Sequence, residues 1–241
     1  MSKIDQLREI IANSNNIVFF GGAGVSTESG IPDFRSEEGI YKTFKDFRDC
    51  PETILSHSYF ILFPDEFYKY YKDNLIYKDA KPNPAHFALA KLEKEGKLNG
   101  IITQNVDGLH QKAGSKNLVE LHGSVYRNYC MECKKFYDLN YILESNGVPT
   151  CVCGGLIKPD VTLYEEALNQ NSLNLVIDLI SNAEVLIVGG TSLVVQPAAN
   201  LIHYFQGKKL VFINKNRTSY DENADLVIHD KIGEVLSSIF I

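Results

Sequence analysis

The chain has 241 residues, of which 44% are hydrophobic, 11% aromatic and 22% charged. That composition excludes disorder, collagen and coiled coil, and a chain of this length buries roughly 70–75% of its unfolded surface without needing disulfides. Thirty acidic against 24 basic residues leave a net charge of -6, poor footing for nucleic acid, whose phosphates call for clustered Lys and Arg. The opening MSKIDQLREI has no apolar leader core, and no apolar run is long enough to span a bilayer. The expectation is a cytoplasmic protein with no membrane partner and no nucleic-acid partner. In a reducing compartment its five cysteines read as thiols or metal ligands.

Taken in chain order, apolar residues at 4, 7, 10 and 11 give the helical period and lead into Ile17–Phe20, a buried-strand run stopped by Gly21-Gly22. Pro84 opens a helix through Leu92, after which Gly100 precedes a strand over Ile101-Ile102-Thr103. Leu118–His122 reads as a strand that ends in histidine. Leu173–Ile180 has helical spacing, Val185–Val188 is strand-like, and Lys209–Ile213 and Leu226–Ile228 are two further strands. Short apolar runs alternating with helices predict an α/β fold with a Rossmann-like, mostly parallel sheet covered on both faces.

Two stretches break that rhythm: 37–80 is aromatic-rich and helical, and 124–160 holds four cysteines. The expected architecture is one domain. Its large lobe takes residues 1–36, 81–123 and 165–241, and an inserted small lobe takes 37–80 and 124–164. The cleft between the lobes is then the default ligand site.

Three constellations carry chemistry. Gly21-Gly22-Ala23-Gly24 follows the first strand, where small residues let the backbone approach a pyrophosphate and the next helix start offers N–H groups. Its spacing is not that of the dinucleotide fingerprint, and a tight turn also accounts for it. Pro32-Asp33-Phe34-Arg35 beyond it suits a flap over a cofactor. Gln104, Asn105 and Asp107 follow a strand, where open α/β sheets bind ligands, although Asp107-Gly108 alone also suits an Asx turn. His122 is the best general-base candidate among the six histidines; His110 comes second, and His57, His86, His203 and His229 have less suggestive settings. Finally, Cys130-x-x-Cys133 and Cys151-x-Cys153 offer four thiolates in a core-poor stretch, a donor set for structural, tetrahedral Zn2+ with no open position. Cys50 stands apart.

Together these features resemble the sirtuin (Sir2) family of NAD-dependent protein-lysine deacylases. The resemblance rests on GAGVSTESGIPDFRS at 22–36, TQNVDGLHQKAG at 103–114, ELHGS at 120–124, the four cysteines, GTSLVVQPAA at 190–199 and INKN at 213–216. It implies that NAD is a consumed co-substrate and that Gly22, Ala23, Gly24, Thr27, Phe34 and Arg35 form the first loop and its flap. It implies further that Gln104, Asn105, Val106 and Asp107 surround the nicotinamide and its ribose, with Asn105 and Asp107 catalytic alongside His122. Gly190, Thr191, Ser192, Asn214 and Lys215 match phosphate and ribose contacts, and Lys231 and Ile232 fall near the adenine.

The implied reaction moves acetyl from acetyl-lysine of a protein or peptide to ADP-ribose and releases nicotinamide and 2′-O-acetyl-ADP-ribose. His122 is the base that takes a proton from the ribose hydroxyls. The peptide pairs as an added strand along Val161, Thr162, Leu163 and Tyr164. Two departures from the family pattern stand out. Lys158 and Glu165 occupy positions where Arg and Gly are common, and Tyr68 is followed by Tyr71 where acidic-acyl enzymes carry Arg. Neutral acyl groups, acetyl first, are therefore expected. Two other readings share the same motifs: a protein mono-ADP-ribosyltransferase, and a non-enzymatic sensor of NAD or ADP-ribose.

Overall fold

The structure is a computed structural model that describes residues 1–33 and 49–240. Phe34, Arg35 and the start of the expected helical insertion lie outside the described residues. The strands are β1 (Ile17–Gly21), β2 (Leu98–Thr103), β3 (Leu118–Glu120), β4 (Gly123–Cys130), β5 (Phe136–Tyr137), β6 (Ile157–Val161), β7 (Val185–Gly189), β8 (Lys209–Ile213) and β9 (Leu226–Ile228). Six of them form one parallel sheet in the order β3-β2-β1-β7-β8-β9, and β5-β4-β6 form a separate antiparallel sheet.

Strand periodicity explains how the large sheet is covered. Ile17 and Phe19 of β1 face a core completed by Leu7, Leu89 and Leu236, from the helices Lys3–Ala12, Pro84–Lys94 and Ile232–Ser238. Val18 and Phe20 point the other way, onto Val176 and Ile180 of the helix Gln170–Asn182 and onto Leu201. Successive residues alternate faces, so a continuous apolar run is what a doubly covered strand requires. Three of the helices that cover the sheet begin at a side-chain cap: Ser2 with Asp5, Asn83 ahead of Pro84, and Asn169.

The expected strand at 101–103 in fact starts at Leu98, with Gly100 inside it. A side chain at Gly100 would meet Leu179 Cδ2 at 2.9 Å, so the glycine admits the helix Gln170–Asn182 and does not break the strand. A second difference concerns His122. The parallel strand stops at Glu120, and β4 of the other sheet starts at Gly123. His122 therefore sits in the two-residue passage from one sheet to the other and not at the end of a strand.

The antiparallel sheet packs with the helices Pro51–Ile54, His57–Leu62, Pro64–Asn74 and Leu139–Glu144 around an aromatic core that includes Phe60, Phe67, Tyr68 and Tyr71. Among the described residues no helix is long and apolar enough to cross a membrane. The strand order reverses between β1 and β7, which places a crevice at their carboxyl ends.

Candidate functional site

The crevice floor is backbone. Gly21 and Gly189 pair in register at the ends of β1 and β7. Just beyond them the Gly24 amide donates to the Gly190 carbonyl at 2.8 Å, and the Gly22 amide donates to the Gly189 carbonyl at 3.3 Å. A side chain at Gly24 would lie 2.8 Å from Gly190 Cα, and one at Gly22 2.8 Å from Thr191 Cβ. Gly190 also has a φ of +61°, so glycine is needed there twice over, for conformation and for space. One expectation is corrected here. Among the described residues the loop is followed directly by the short 3-10 turns Ala23–Val25 and Thr27–Ser29, and the amides of 22, 24, 25 and 26 are all bonded within the protein. The loop offers close approach to a ligand rather than a helix N-terminus.

Polar side chains converge above this floor. Gln104, Asn105, Val106 and Asp107 follow β2 and are all partly buried. The Gln104 amide nitrogen Nε2 donates to Thr191 Oγ1 at 3.1 Å, and the Thr191 amide donates to Asn214 Oδ1 at 2.9 Å. The ends of β2, β7 and β8 are thus linked around one cleft. Ser26 Oγ donates to Asp107 Oδ2 at 2.6 Å and accepts from Asn105 Nδ2 at 3.0 Å. The Leu109 amide donates to Asp107 Oδ1 at 2.9 Å. Burial raises the Asp107 pKa above its ordinary value, and these two hydrogen bonds oppose that rise. Asn214 is buried, and its Nδ2 finds no partner among the described residues, as suits a donor kept for a ligand.

His122 is held by its own ring. Its Nδ1 lies 3.0 Å from the Gln104 carbonyl oxygen. A carbonyl only accepts, so Nδ1 carries the proton and Nε2 keeps a lone pair for use as a base. Burial pulls the imidazole pKa below its ordinary value, against the opposing pull of that carbonyl. The remaining predicted residues are spread around the cleft. Ala23 is partly buried, while Thr27, Ser192 and Lys215 are exposed. Ile232, in contrast, is 3% exposed and packs into the core beneath the strand ends.

The four cysteines come together as expected. Cys130, Cys133, Cys151 and Cys153 place their sulfurs within 4.8 Å of one another. The Cys130–Cys153 and Cys133–Cys151 sulfurs are 3.5 Å apart, too long for a disulfide and close to the edge of a tetrahedron built on zinc–sulfur bonds of about 2.3 Å. The shortened second knuckle closes because Gly154 takes a φ of +87°. In the same turn the Cys151 amide donates to the Gly155 carbonyl at 2.8 Å. Gly155 has no room for a side chain, which would lie 2.7 Å from Cys130 Sγ. The Cys153 amide and the Tyr137 hydroxyl, which donates to Cys151 Sγ at 3.0 Å, both favour the thiolate at Cys151. The donor set fits structural zinc.

Comparison with known proteins decides the assignment. The model of the Sir2 family matches residues 22–197. The chain belongs to the Sir2 family. It is 64% identical over 235 residues to the NAD-dependent protein deacetylase of Clostridium tetani, with 97% of this chain and 95% of that protein covered. It is 62% identical to that of Clostridium perfringens, with 98% of each chain covered. Among solved structures it is similar to a Sir2 protein with a p53 peptide and NAD+ (TM-score 0.88, 39% identity, 99% and 98% of the two chains covered). A second is Sir2Tm bound to a propionylated peptide (TM-score 0.87, 39% identity, the same coverage).

In this Sir2 chain the segment Val161–Tyr164 is bonded on several sides. The Thr162 amide donates to the His122 carbonyl and the Tyr164 amide to the Leu55 carbonyl, both at 3.0 Å, while His57 donates back to the Tyr164 carbonyl at 3.0 Å. The Leu163 amide donates to Glu166 Oε2 at 2.9 Å, and that carboxylate also meets Lys158 Nζ at 3.0 Å and His57 Nδ1 at 2.8 Å. Glu165 keeps the left-handed backbone of a glycine, with a φ of +73°. Its carboxylate accepts from the Ser58 amide at 2.9 Å, a tie that helps hold it there.

Two contributors escaped the sequence reading. Ser26 is 1% exposed and joins Asn105 to Asp107. A serine inside the glycine-rich motif was the available signal. Asn83 caps a helix and also donates to the Val25 carbonyl at 2.7 Å and to Ser29 Oγ at 3.0 Å, bracing the loop from behind. A helix cap is all that its sequence context, Asn before Pro, announces.

Proposed function

We infer that the chain is an NAD-dependent protein-lysine deacetylase that transfers acetyl from lysine to ADP-ribose, giving nicotinamide and O-acetyl-ADP-ribose. The observation that carries the assignment of roles is His122, with its Nε2 unprotonated, on the carbonyl of Gln104 beside the Ser26–Asn105–Asp107 cluster. When bound, NAD supplies a nicotinamide that leaves and a ribose that accepts the acetyl group. Gly22, Ala23, Gly24 and Gly190 would let its pyrophosphate approach the backbone, with exposed Thr27 at the same loop. Thr191, Ser192, Asn214 and Lys215 serve the adenosine side. Gln104, Asn105, Val106 and Asp107 orient the nicotinamide ribose.

Partly buried Asp107 is a strong partner for positive charge, because a lowered dielectric magnifies the attraction. His122 takes a proton from a ribose hydroxyl at Nε2, while its Nδ1–H stays on Gln104. The acyl-peptide lies along Val161, Thr162, Leu163 and Tyr164. Four thiolates fill the coordination of zinc, so the metal braces the small lobe and takes no part in the chemistry.

The test is stoichiometric. With an acetyl-lysine peptide, deacetylation should require NAD and release one nicotinamide for each acetyl group lost. Deacetylation without NAD, or NAD consumption that leaves ADP-ribose on protein, contradicts the assignment.

A further inference from the structure

Arg127 belongs to none of the groups assigned above, yet it joins the two strands that flank them. The β4–β6 ladder pairs Gly123 with Val161 and Ser124 with Asp160, and resumes at Asn128 opposite Pro159. Val125, Tyr126 and Arg127 therefore bulge out between adjacent partner positions. The bulge aims one guanidinium at two carboxylates. Arg127 Nη1 donates to Glu120 Oε2 at 2.6 Å, and its Nε donates to Asp160 Oδ2 at 2.7 Å.

Each partner stands next to the chemistry. Glu120 ends β3, two residues before His122, and its other oxygen accepts from Gln111 Nε2 at 2.7 Å. Gln111 lies on the helix Leu109–Lys112, which follows directly on Asp107-Gly108. Asp160 lies on β6, one residue before Val161. The loop closes through the backbone, where the Thr162 amide donates to the His122 carbonyl at 3.0 Å. One circuit thus runs Arg127–Glu120–His122–Thr162–Asp160 and back, and it contains both the base and the start of the peptide strand. At Gly123 the two strands are in close contact, since a side chain there would meet the Asp160 carbonyl oxygen at 1.9 Å. Among the described residues Arg127 is the cation in ion-pair contact with both Glu120 and Asp160. Glu120 also acts on Asp107, whose carboxyl pKa its charge raises.

We propose that Arg127 is a positioning residue for deacetylation, which ties Glu120 to Asp160 and so fixes the spacing between His122 and the acyl-peptide strand. The proposal rests on the roles assigned to His122 and to Val161–Tyr164. A planar fork suits the task, because it holds two carboxylates at fixed angles, whereas the rotatable donors of an ammonium fix no angle between them.

Equilibrium binding of a fluorescent acetyl-lysine peptide needs no turnover and is the first readout. R127Q should weaken it roughly five- to tenfold, the size expected for losing two partly exposed ion pairs. D160N should weaken it too. The R127Q/D160N pair should bind within about twofold of R127Q alone, since both changes cut one connection. In steady state the peptide KM of R127Q should rise by the same factor while the KM for NAD stays within about twofold of wild type, a split that a general loss of stability would not produce. R127K should recover part of the peptide affinity but not all of it.

Wild-type peptide affinity in folded, zinc-loaded R127Q would overturn the proposal, as would fully additive losses in R127Q/D160N. The R127Q effect on binding, measured in the H122A background, keeps this test apart from the catalytic assignment. An active H122A protein would remove the base, whereas an unchanged affinity would remove Arg127.

Discussion

His86 and His110 are 0% and 1% exposed, with their rings 4.8 Å apart in an edge-to-face contact. His86 Nδ1 accepts from the Asn83 amide at 3.2 Å, and neither ring nitrogen of His110 has a partner among the described residues. Burial pushes His86 down to about 4, and burial together with its neighbour pushes His110 down to about 3. Both are therefore neutral in the folded protein at pH values where the unfolded chain protonates them. Their contribution to stability is fully present above the unfolded value near 6.5 and is lost as pH falls toward the folded values. Each should remove roughly 3 kcal/mol of unfolding free energy between pH 7 and 4, by the usual equivalence of pKa shift and energy. Urea denaturation across that range checks this, and H110L should flatten the acid slope. The sequence ranked His122 above His110 as a base, and the surroundings of the two rings differ. His110 is sealed in the core, while His122 has one nitrogen anchored on a carbonyl and no bond recorded to the other among the described residues. Sequence context showed the type of residue but not which ring nitrogen was engaged.

At the scale of elements, the helix Pro64–Asn74 bears on the expected preference for neutral acyl groups. Tyr68 donates its hydroxyl to the Ile157 carbonyl, and Tyr71 is 0% exposed and stacks on Phe67 with centroids 5.6 Å apart. A phenol already committed to a backbone carbonyl, beside an apolar stack, offers no bidentate partner for a carboxylate. Acetyl-lysine peptide should therefore be turned over at least tenfold faster, in kcat/KM, than its succinyl counterpart, a cost of the order of one unmatched buried charge. Comparable rates would contradict this reading of the helix. The strands of the parallel sheet were legible because each is a short apolar run between breakers. β4 was not, since its bulge and the exposed side of its sheet leave no clean alternation over Gly123–Cys130. The left-handed backbone at Glu165 is announced only by the glycine common at that position in the family pattern, and not by the residue itself.

At the scale of the whole molecule, the chain passes from the parallel to the antiparallel sheet at Leu121-His122, and a zinc-ligand position lies at the far end of the strand that leaves this passage. β4 runs from Gly123, next to His122, to the zinc-ligand position Cys130. Removal of zinc should therefore reach the base through one strand. C151S, or treatment with a chelator, should take zinc from about one per chain to none and abolish deacetylation, with unfolding of the small lobe seen by circular dichroism. Full activity without metal would detach the zinc module from catalysis.

The central claim is that one histidine, anchored at the passage between the two sheets, is the base that moves the acetyl group onto the ribose. It is tested most directly by O-acetyl-ADP-ribose formation in H122A at wild-type zinc content. Product measured by mass spectrometry should fall at least a hundredfold, the effect expected for removing a general base. Formation within a few-fold of wild type would contradict it.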